Sequence, residues 1–81
     1  MNTSARKLPQ NRVLTVSVKD QKLHVVLEDG REISVPLEWY PRLLRATPAQ
    51  VAKYRLIGDS TGIHWPEIDE DLDIEGILAG I

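Results

Sequence analysis

The sequence predicts an α+β fold in which short helices pack on one face of an antiparallel sheet, in the order β-β-β-α-α-β-β-α. Three observations lead to this class. Apolar and polar residues alternate over residues 12–36, as in half-buried strands. Asp29-Gly30 is a strong hairpin signal. Pro41 and Thr47 mark two helix starts after the last of these strands. Strands with one apolar face need helices to cover that face.

The first segment predicts a three-stranded meander with one polar face. Leu14, Val16 and Val18 alternate with Thr and Ser, and the same alternation recurs in the next two segments. The breaks fall at Asp20-Gln21 and at Asp29-Gly30. We expect a type I′ turn at Asp29-Gly30, because that turn needs positive φ at both central positions.

Two short helices are predicted next. The first covers Pro41–Ala46, where the missing N–H of an early proline has no cost. The second runs from Pro48 to about Lys53 and begins with a capping box, in which Thr47 and Gln50 satisfy each other's backbone N–H groups.

The last third predicts two short strands and a helix. Residues 55–57 and 63–65 read as strands, with a turn over 58–62 between them. Asp73 can cap a helix that starts at Ile74, and Gly80 can stop it. We therefore expect residues 1–11 to be a flexible arm and residues 12–81 to be a single α+β domain.

Composition excludes several classes of site. The 81 residues contain no Cys, which excludes a disulfide framework, a thiolate zinc site and a cysteine nucleophile. No apolar run approaches the roughly 20 residues that cross a bilayer. The polar N-terminus does not resemble a signal peptide. These features favour a cytoplasmic protein without a membrane partner.

The net charge of −2 divides unevenly along the chain. Residues 1–55 hold all ten Lys and Arg and five acids, which leaves +5, whereas residues 56–81 hold seven acids and no base, which leaves −7. Such asymmetry can mark an interaction surface, or the two parts can neutralise each other within the fold.

No catalytic or cofactor site is predicted. There is no nucleophile-elbow serine, phosphate loop or dinucleotide fingerprint. His64 and the carboxylates after it could form a mixed metal site, but two histidines on separate strands are more typical of surface or core positions. A calcium loop counted from Asp69 would have Ile74 and Gly80 where it needs Gly and Glu. We therefore expect neither an enzyme nor a bound metal.

Aromatic and basic residues after the third strand are candidates for partner binding. Trp39 and Tyr40 precede Arg42 and Arg45, and these residue types dominate protein interfaces. The alternative is that Trp39 closes one end of the sheet while Tyr40 is partly exposed. Trp65 could also be a surface anchor, but a domain without Phe needs its Trp residues in the core.

An acidic run in the last third is the second candidate for partner binding. Its carboxylates can cap and polarise the start of the last helix, and they can also attract a basic partner. The two roles are compatible. The residues concerned are Asp69, Glu70, Asp71 and Asp73.

Three segments together resemble a bacterial family, the domain-of-unknown-function family 2442. They are Leu37–Pro41, Ala46–Pro48 and Gly62–Leu72, with the Gly-Ile-His-Trp-Pro and Asp-Glu-Asp stretch as the most specific part, and the resemblance covers about residues 13–79. It implies a small α+β fold without an established activity. It also implies company with a second small protein, of the domain-of-unknown-function family 4160, in an arrangement similar to a toxin–antitoxin pair.

The function predicted from these features is a small non-catalytic protein-binding module, the antitoxin-like partner of a small, basic, toxin-like protein. An edge strand of the meander could also pair with a second copy, giving a homodimer. The alternative is a nucleic-acid-binding or operator-binding accessory protein, through cations such as Arg6, Lys7 and Arg12. A pI of 5.6 argues against nucleic-acid binding by the chain alone.

Overall fold

Six strands and three short helices make up residues 11–80, the part of the chain that the computed structural model describes. The predicted α+β class is confirmed, and the predicted elements occur in the predicted order, with strand β6 in addition. The elements are β1 (Val13–Lys19), β2 (Lys22–Leu27), β3 (Glu32–Pro36), a 3₁₀ turn (Leu37–Trp39), α1 (Pro41–Leu44), α2 (Pro48–Ala52), β4 (Arg55–Ile57), β5 (Gly62–Trp65), β6 (Glu70–Asp73) and α3 (Ile74–Ala79).

The strands form two antiparallel sheets where the sequence predicted one. Sheet A has the order β1-β2-β3 and sheet B the order β4-β5-β6. Strand β6 was not predicted, because its Glu-Asp-Leu-Asp sequence has a single apolar residue, Leu72, and lacks a period-two signal. It forms through pairing with β5, in which Leu72 faces Ile63 and Asp71 faces His64.

The two hairpin turns of sheet A differ from the expected pair. Asp20 and Gln21, with φ of 54° and 61°, occupy the two central positions between β1 and β2, as a type I′ turn requires. In the Glu28–Gly30 loop only Gly30 has positive φ, at 96°. The type I′ prediction for Asp29-Gly30 is therefore wrong. Asp29 instead accepts hydrogen bonds from the backbone N–H and the Nε of Arg31, at 3.1 and 2.8 Å.

A β-bulge interrupts the alternation of β1. Val13 pairs with Leu27 and Thr15 pairs with Val26, which leaves Leu14 as the extra residue. Leu14 is consequently 56% exposed while Val13 is buried. The sequence placed Leu14 on the apolar face, and that placement is wrong because the bulge moves Val13 into the inner position.

The helix ends follow the predicted caps. Thr47 accepts a hydrogen bond from the N–H of Gln50 at 3.1 Å, and the Gln50 side chain accepts one from the N–H of Thr47 at 2.9 Å. Asp73 accepts from the N–H of Gly76 at 2.5 Å. Gly80 ends α3 in the left-handed conformation, with φ of 79°.

Trp65 lies at the centre of a core to which both sheets contribute. Its ring is fully buried, and its indole N–H donates to the carbonyl of Val51 in α2 at 3.0 Å. This confirms the core interpretation of Trp65. The fully buried side chains around it come from β1, β2, α1, β5 and α3 and are Val13, Leu23, Val25, Leu27, Leu43, Ile63 and Ile74.

Sheet A is joined to sheet B along the outer edge of β1. The N–H of Val13 donates to the carbonyl of Ser60 at 2.7 Å, and Arg12 forms an ion pair with Asp59 at 3.0 Å. The N–H of Val16 donates to the hydroxyl of Tyr54 at 3.3 Å. The predicted arm over residues 1–11 lies outside the described residues, except for its last residue.

Candidate functional site

The first turn of α1 contacts the segment just before β6, and this contact joins the two predicted partner-binding groups. Nη1 of Arg42 donates to the carbonyl of Asp69 at 2.5 Å. The Tyr40 side chain lies close enough to Glu70 for the carboxylate to affect the pKa of the phenol. Residues that are about 30 positions apart in sequence therefore share one region of the surface.

Tyr40 is a core residue and does not lie on that surface. It is 6% exposed, and its hydroxyl has no hydrogen-bond partner within residues 11–80. Burial, and to a lesser extent the negative charge of Glu70, raises the pKa of Tyr40 above its usual value. Because the side chain is enclosed, Tyr40 cannot provide the partner contact that the sequence suggested.

Trp39, in contrast, is available to a partner. It is 48% exposed. Its ring meets that of Tyr40 edge to face, with 6.4 Å between centroids and an angle of 70°. The far corner of the indole approaches the end of α3, where a Cβ added at Gly80 would lie 4.0 Å from Cη2. The residue is thus held at the junction of α1 and α3 with about half of its surface open.

Most of the acidic run forms β6, which is an edge strand of sheet B. The N–H of Ile74 donates to the carbonyl of Thr61 at 3.0 Å, so Thr61 and Ile74 are a hydrogen-bonded pair that extends the β5–β6 ladder. Since such positions alternate in antiparallel pairs, Asp71 turns its backbone N–H and C=O away from β5, and Asp73 turns its N–H away. The carbonyl of Asp73 is the acceptor of the first hydrogen bond of α3. Beside them is a cleft of about 320 Å³ against α3, lined by Asp71, Leu72, Asp73, Gly76 and Ile77.

We call this free edge of β6, together with the carboxylates of Glu70, Asp71 and Asp73, the acidic edge. Asp73 caps α3, as the helix-start interpretation expected. Asp71 contacts Nδ1 of His64 across the ladder. A non-hydrogen-bonded pair such as His64 and Asp71 brings its side chains close together. The carboxylates therefore have structural partners, yet Asp71 and Asp73 remain exposed.

His64 lies in a row of polar side chains across sheet B. Arg55 faces His64 on one side and Asp71 faces it on the other. No group of three His, Cys, Asp or Glu side chains within residues 11–80 is arranged to hold a metal ion.

The predicted cations are spread over several elements. Arg45 directly follows α1 and is exposed. It forms no ion pair within residues 11–80. Lys53 pairs with Glu67 at 2.8 Å. Arg12 pairs with Asp59. Of the candidate residues, the structure brings together Trp39, Arg42 and the acidic run, and Arg45 forms no ion pair with any of them.

The sequence analysis missed a second surface feature, an apolar groove between β1 and the first two helices. Its volume is about 320 Å³. The signal in the sequence that could have indicated the groove is the Leu43-Leu44 pair. Adjacent residues on a short helix point in different directions, so both cannot be buried, and Leu44 is in fact 47% exposed. No helix within residues 11–80 has the length and apolar character needed to cross a membrane.

Comparison with known proteins gives a family and a fold. The family model described as "Protein of unknown function (DUF2442)" matches residues 13–81. A solved structure of a protein of unknown function from Rhodospirillum rubrum ATCC 11170 is similar, with 27% sequence identity and a TM-score of 0.75, over 93% of this chain and 90% of that one. No curated protein matches. This chain therefore belongs to the DUF2442 family.

Proposed function

We propose that the domain is a non-catalytic protein-binding module, the antitoxin-like partner of a small basic protein. The acidic edge is the observation that carries this proposal. Strand addition at an open edge is a common mode of peptide recognition, in which backbone hydrogen bonds give affinity and side-chain pockets give specificity. The edge of β6 offers both, because the outward N–H and C=O of Asp71 and the N–H of Asp73 lie beside the cleft against α3.

Charge selects the partner. Residues 56–81 contain seven acids and no base. Two of these carboxylates are neutralised by distant cations, Asp59 by Arg12 and Glu67 by Lys53. The acidic edge and Glu75 beyond it have no Lys or Arg partner within residues 11–80. A complementary positive surface on the partner would accelerate association and fix its orientation.

Trp39 provides the apolar anchor that such an interface needs. Interface energy is concentrated in a few residues, often Trp, Tyr and Arg, near the centre of the interface. Trp39 is half exposed next to α3, and Arg42 ties its segment to the loop before β6. The partner is expected to contact the acidic edge and Trp39 together, over about 800 Å² on each side.

The proposal predicts selective capture by the charged edge. The immobilised domain is exposed to a lysate of the cells that encode it, and bound protein is identified by mass spectrometry. We expect one small basic protein at near-equal stoichiometry. Recovery should fall strongly with the triple variant Glu70→Gln, Asp71→Asn, Asp73→Asn, which removes three charges but keeps side-chain shape and a good helix cap.

A second triple variant controls for net charge. Asp20→Asn, Glu28→Gln and Glu32→Gln remove the same three charges from sheet A, and all three side chains are exposed. Asn also tolerates the positive φ of position 20. This variant should capture the partner as the wild type does. Equal recovery by both variants, or no small basic partner at all, would contradict the proposal. Absorbance of the eluate at 260 nm tests the nucleic-acid alternative.

A further inference from the structure

A groove beside β1 forms a second surface, distinct from the acidic edge. Its apolar lining comes from β1, from α1 and the residues on either side of it, and from α2. Its volume of about 320 Å³ is at the lower end of the range of roughly 300–1,000 Å³ for ligand pockets. The lining residues that the argument uses are Val16, Val18, Leu37, Leu44, Ala46 and Ala52.

The backbone of β1 offers hydrogen bonds at the groove. Lys19 and Lys22 flank the two-residue turn and therefore form a hydrogen-bonded pair, so that Val18 and Val16 are non-hydrogen-bonded positions relative to β2. Their N–H and C=O groups point to the outer edge. The N–H of Val16 confirms this direction, because it donates to the hydroxyl of Tyr54. Val18 lies one step further along the same edge, next to the groove.

Within residues 11–80, the edge of β1 is open only near Val18, because the N–H groups of Val13 and Val16 already donate to Ser60 and Tyr54. Natural edge strands carry charged side chains or proline, or are covered by another element. From Val13 to Val18 the strand contains neither charge nor proline. Its bulge, at Leu14, is at the far end from the groove. The open end at Val18, with Lys19 as the one charged residue of the strand, is suited to pairing with an added strand.

Charges at the rim define the chemistry of the occupant. Lys19 follows the lining residue Val18, so its side chain is on the outer face of the same edge. It lies directly opposite Lys22 in the ladder, where like charges repel each other. Arg45 lies between the lining residues Leu44 and Ala46. None of these three cations forms an ion pair within residues 11–80. An anionic occupant would relieve the repulsion between the two lysines.

We infer that the β1 groove binds an extended, acidic and apolar segment of another protein, which adds a strand to the edge of sheet A at Val18. Alternate apolar side chains of the segment enter the groove, and its carboxylates face Lys19, Lys22 and Arg45. This surface differs from the acidic edge in location and in the charge that it attracts. The inference therefore does not depend on the basic partner proposed above.

A defined peptide tests the inference by NMR. The probe is the acetylated and amidated heptapeptide Glu-Val-Glu-Leu-Glu-Val-Glu, and the control probe has Lys in place of every Glu. Titration into the ¹⁵N-labelled domain should shift the amides of Ser17, Val18 and Ala52. The acidic peptide should bind more tightly than the basic peptide by about tenfold at low salt.

Four single variants and one combined variant separate the contributions. Lys19→Gln and Arg45→Gln should weaken binding of the acidic peptide, and Glu38→Gln, which removes an exposed acid next to the lining residue Leu37, should strengthen it. Ala52→Leu fills the groove from an exposed helix position that tolerates Leu, and should abolish binding. The triple variant of the acidic edge should bind the peptide with the affinity of the wild type. This result is expected whether or not the acidic edge has a partner of its own.

Three outcomes would overturn the inference. The first is the absence of shifts at Val18 and Ala52 at millimolar peptide. The second is equal binding of the basic peptide, or of the acidic peptide to Ala52→Leu. The third is a shift of the same amides with protein concentration alone, which would show that a second copy of the chain occupies the groove.

Discussion

Tyr40 and Tyr54 place their hydroxyl groups in opposite environments. The hydroxyl of Tyr54 accepts a hydrogen bond from the N–H of Val16 and so satisfies an edge position of β1. The hydroxyl of Tyr40 is buried without a partner within residues 11–80. Burying a hydroxyl group without a hydrogen-bond partner costs free energy, so its removal can stabilise the fold. Removing a hydroxyl group that has a partner instead destroys a favourable hydrogen bond. The two residues therefore form a natural pair for comparison.

Removing the two hydroxyls should have opposite effects on stability. Tyr40→Phe is expected to leave the free energy of unfolding unchanged or to raise it by about 1–2 kcal/mol, and Tyr54→Phe to lower it by about 0.5–1.5 kcal/mol. Urea denaturation followed by far-ultraviolet circular dichroism at pH 7 measures both. A larger loss for Tyr40→Phe than for Tyr54→Phe would show that the Tyr40 hydroxyl has a partner.

The same variants have a defined response to alkaline pH. Because the pKa of Tyr40 is raised in the folded state, the unfolded state releases this proton first as the pH passes about 10, and stability falls above that pH. The fall should be smaller in Tyr40→Phe. Glu67 raises the pKa of Lys53, which gives a loss of the same sign in the wild type and in both variants. The difference between the denaturation curves therefore isolates Tyr40.

At the scale of elements, the turn between β1 and β2 requires the left-handed backbone conformation at two positions, and neither of the residues there is glycine. Asp20 and Gln21 have φ of 54° and 61°. Asp adopts this region readily among residues with a side chain, whereas Gln does so at a cost. Gln21 stays there because its neighbours fix it, including the N–H of Leu37, which donates to the Gln21 carbonyl at 3.0 Å.

Gln21→Gly should therefore stabilise the domain. The expected gain in the free energy of unfolding is about 0.5–1 kcal/mol, since glycine adopts positive φ without steric cost and the Leu37 hydrogen bond uses only backbone atoms. Gln21→Ala is the control, because it removes the same side chain but keeps the Cβ. A gain for Gln21→Ala equal to that for Gln21→Gly would mean that the side chain, and not the backbone conformation, limits stability.

Local pattern was sufficient for the elements whose signals lie within a few residues. The alternation located β1 to β3, and the Thr47–Gln50 motif and the Asp73 cap gave two helix starts. The bulge at Leu14 and strand β6 escaped because they depend on pairing partners elsewhere in the chain. Of the candidate site, the exposure of Trp39 and the acidic residues could be anticipated. The burial of Tyr40 required knowledge of α1 packing.

At the scale of the whole molecule, one core spans both sheets. Leu23, Val25 and Leu27 of sheet A belong to the same buried cluster as Ile63 and Trp65 of sheet B. The backbone hydrogen bond from Val13 to Ser60 closes the junction between the sheets. Neither sheet has a separate core that could keep it folded alone, so the described part of the chain is expected to unfold in one transition.

Native-state hydrogen exchange tests this cooperativity. The amides of Val25 and Ile63 lie in the central strand of their respective sheets and should exchange with the same free energy of opening and the same dependence on urea. Trp65→Phe, which removes the hydrogen bond to Val51, should lower both values equally. A lower value for one sheet alone would indicate that the sheets open independently.

The contrast between the two tryptophans gives the protein a built-in optical readout. Trp65 lies in a dry interior, whereas Trp39 is half open to solvent beside the acidic edge. A water-soluble quencher such as iodide reaches Trp39 and leaves Trp65 emitting. Loss of the quencher-resistant emission then reports unfolding, while protection of the accessible fraction reports contact with a binding partner. One fluorescence cell can thus distinguish a variant that no longer folds from one that folds but no longer binds.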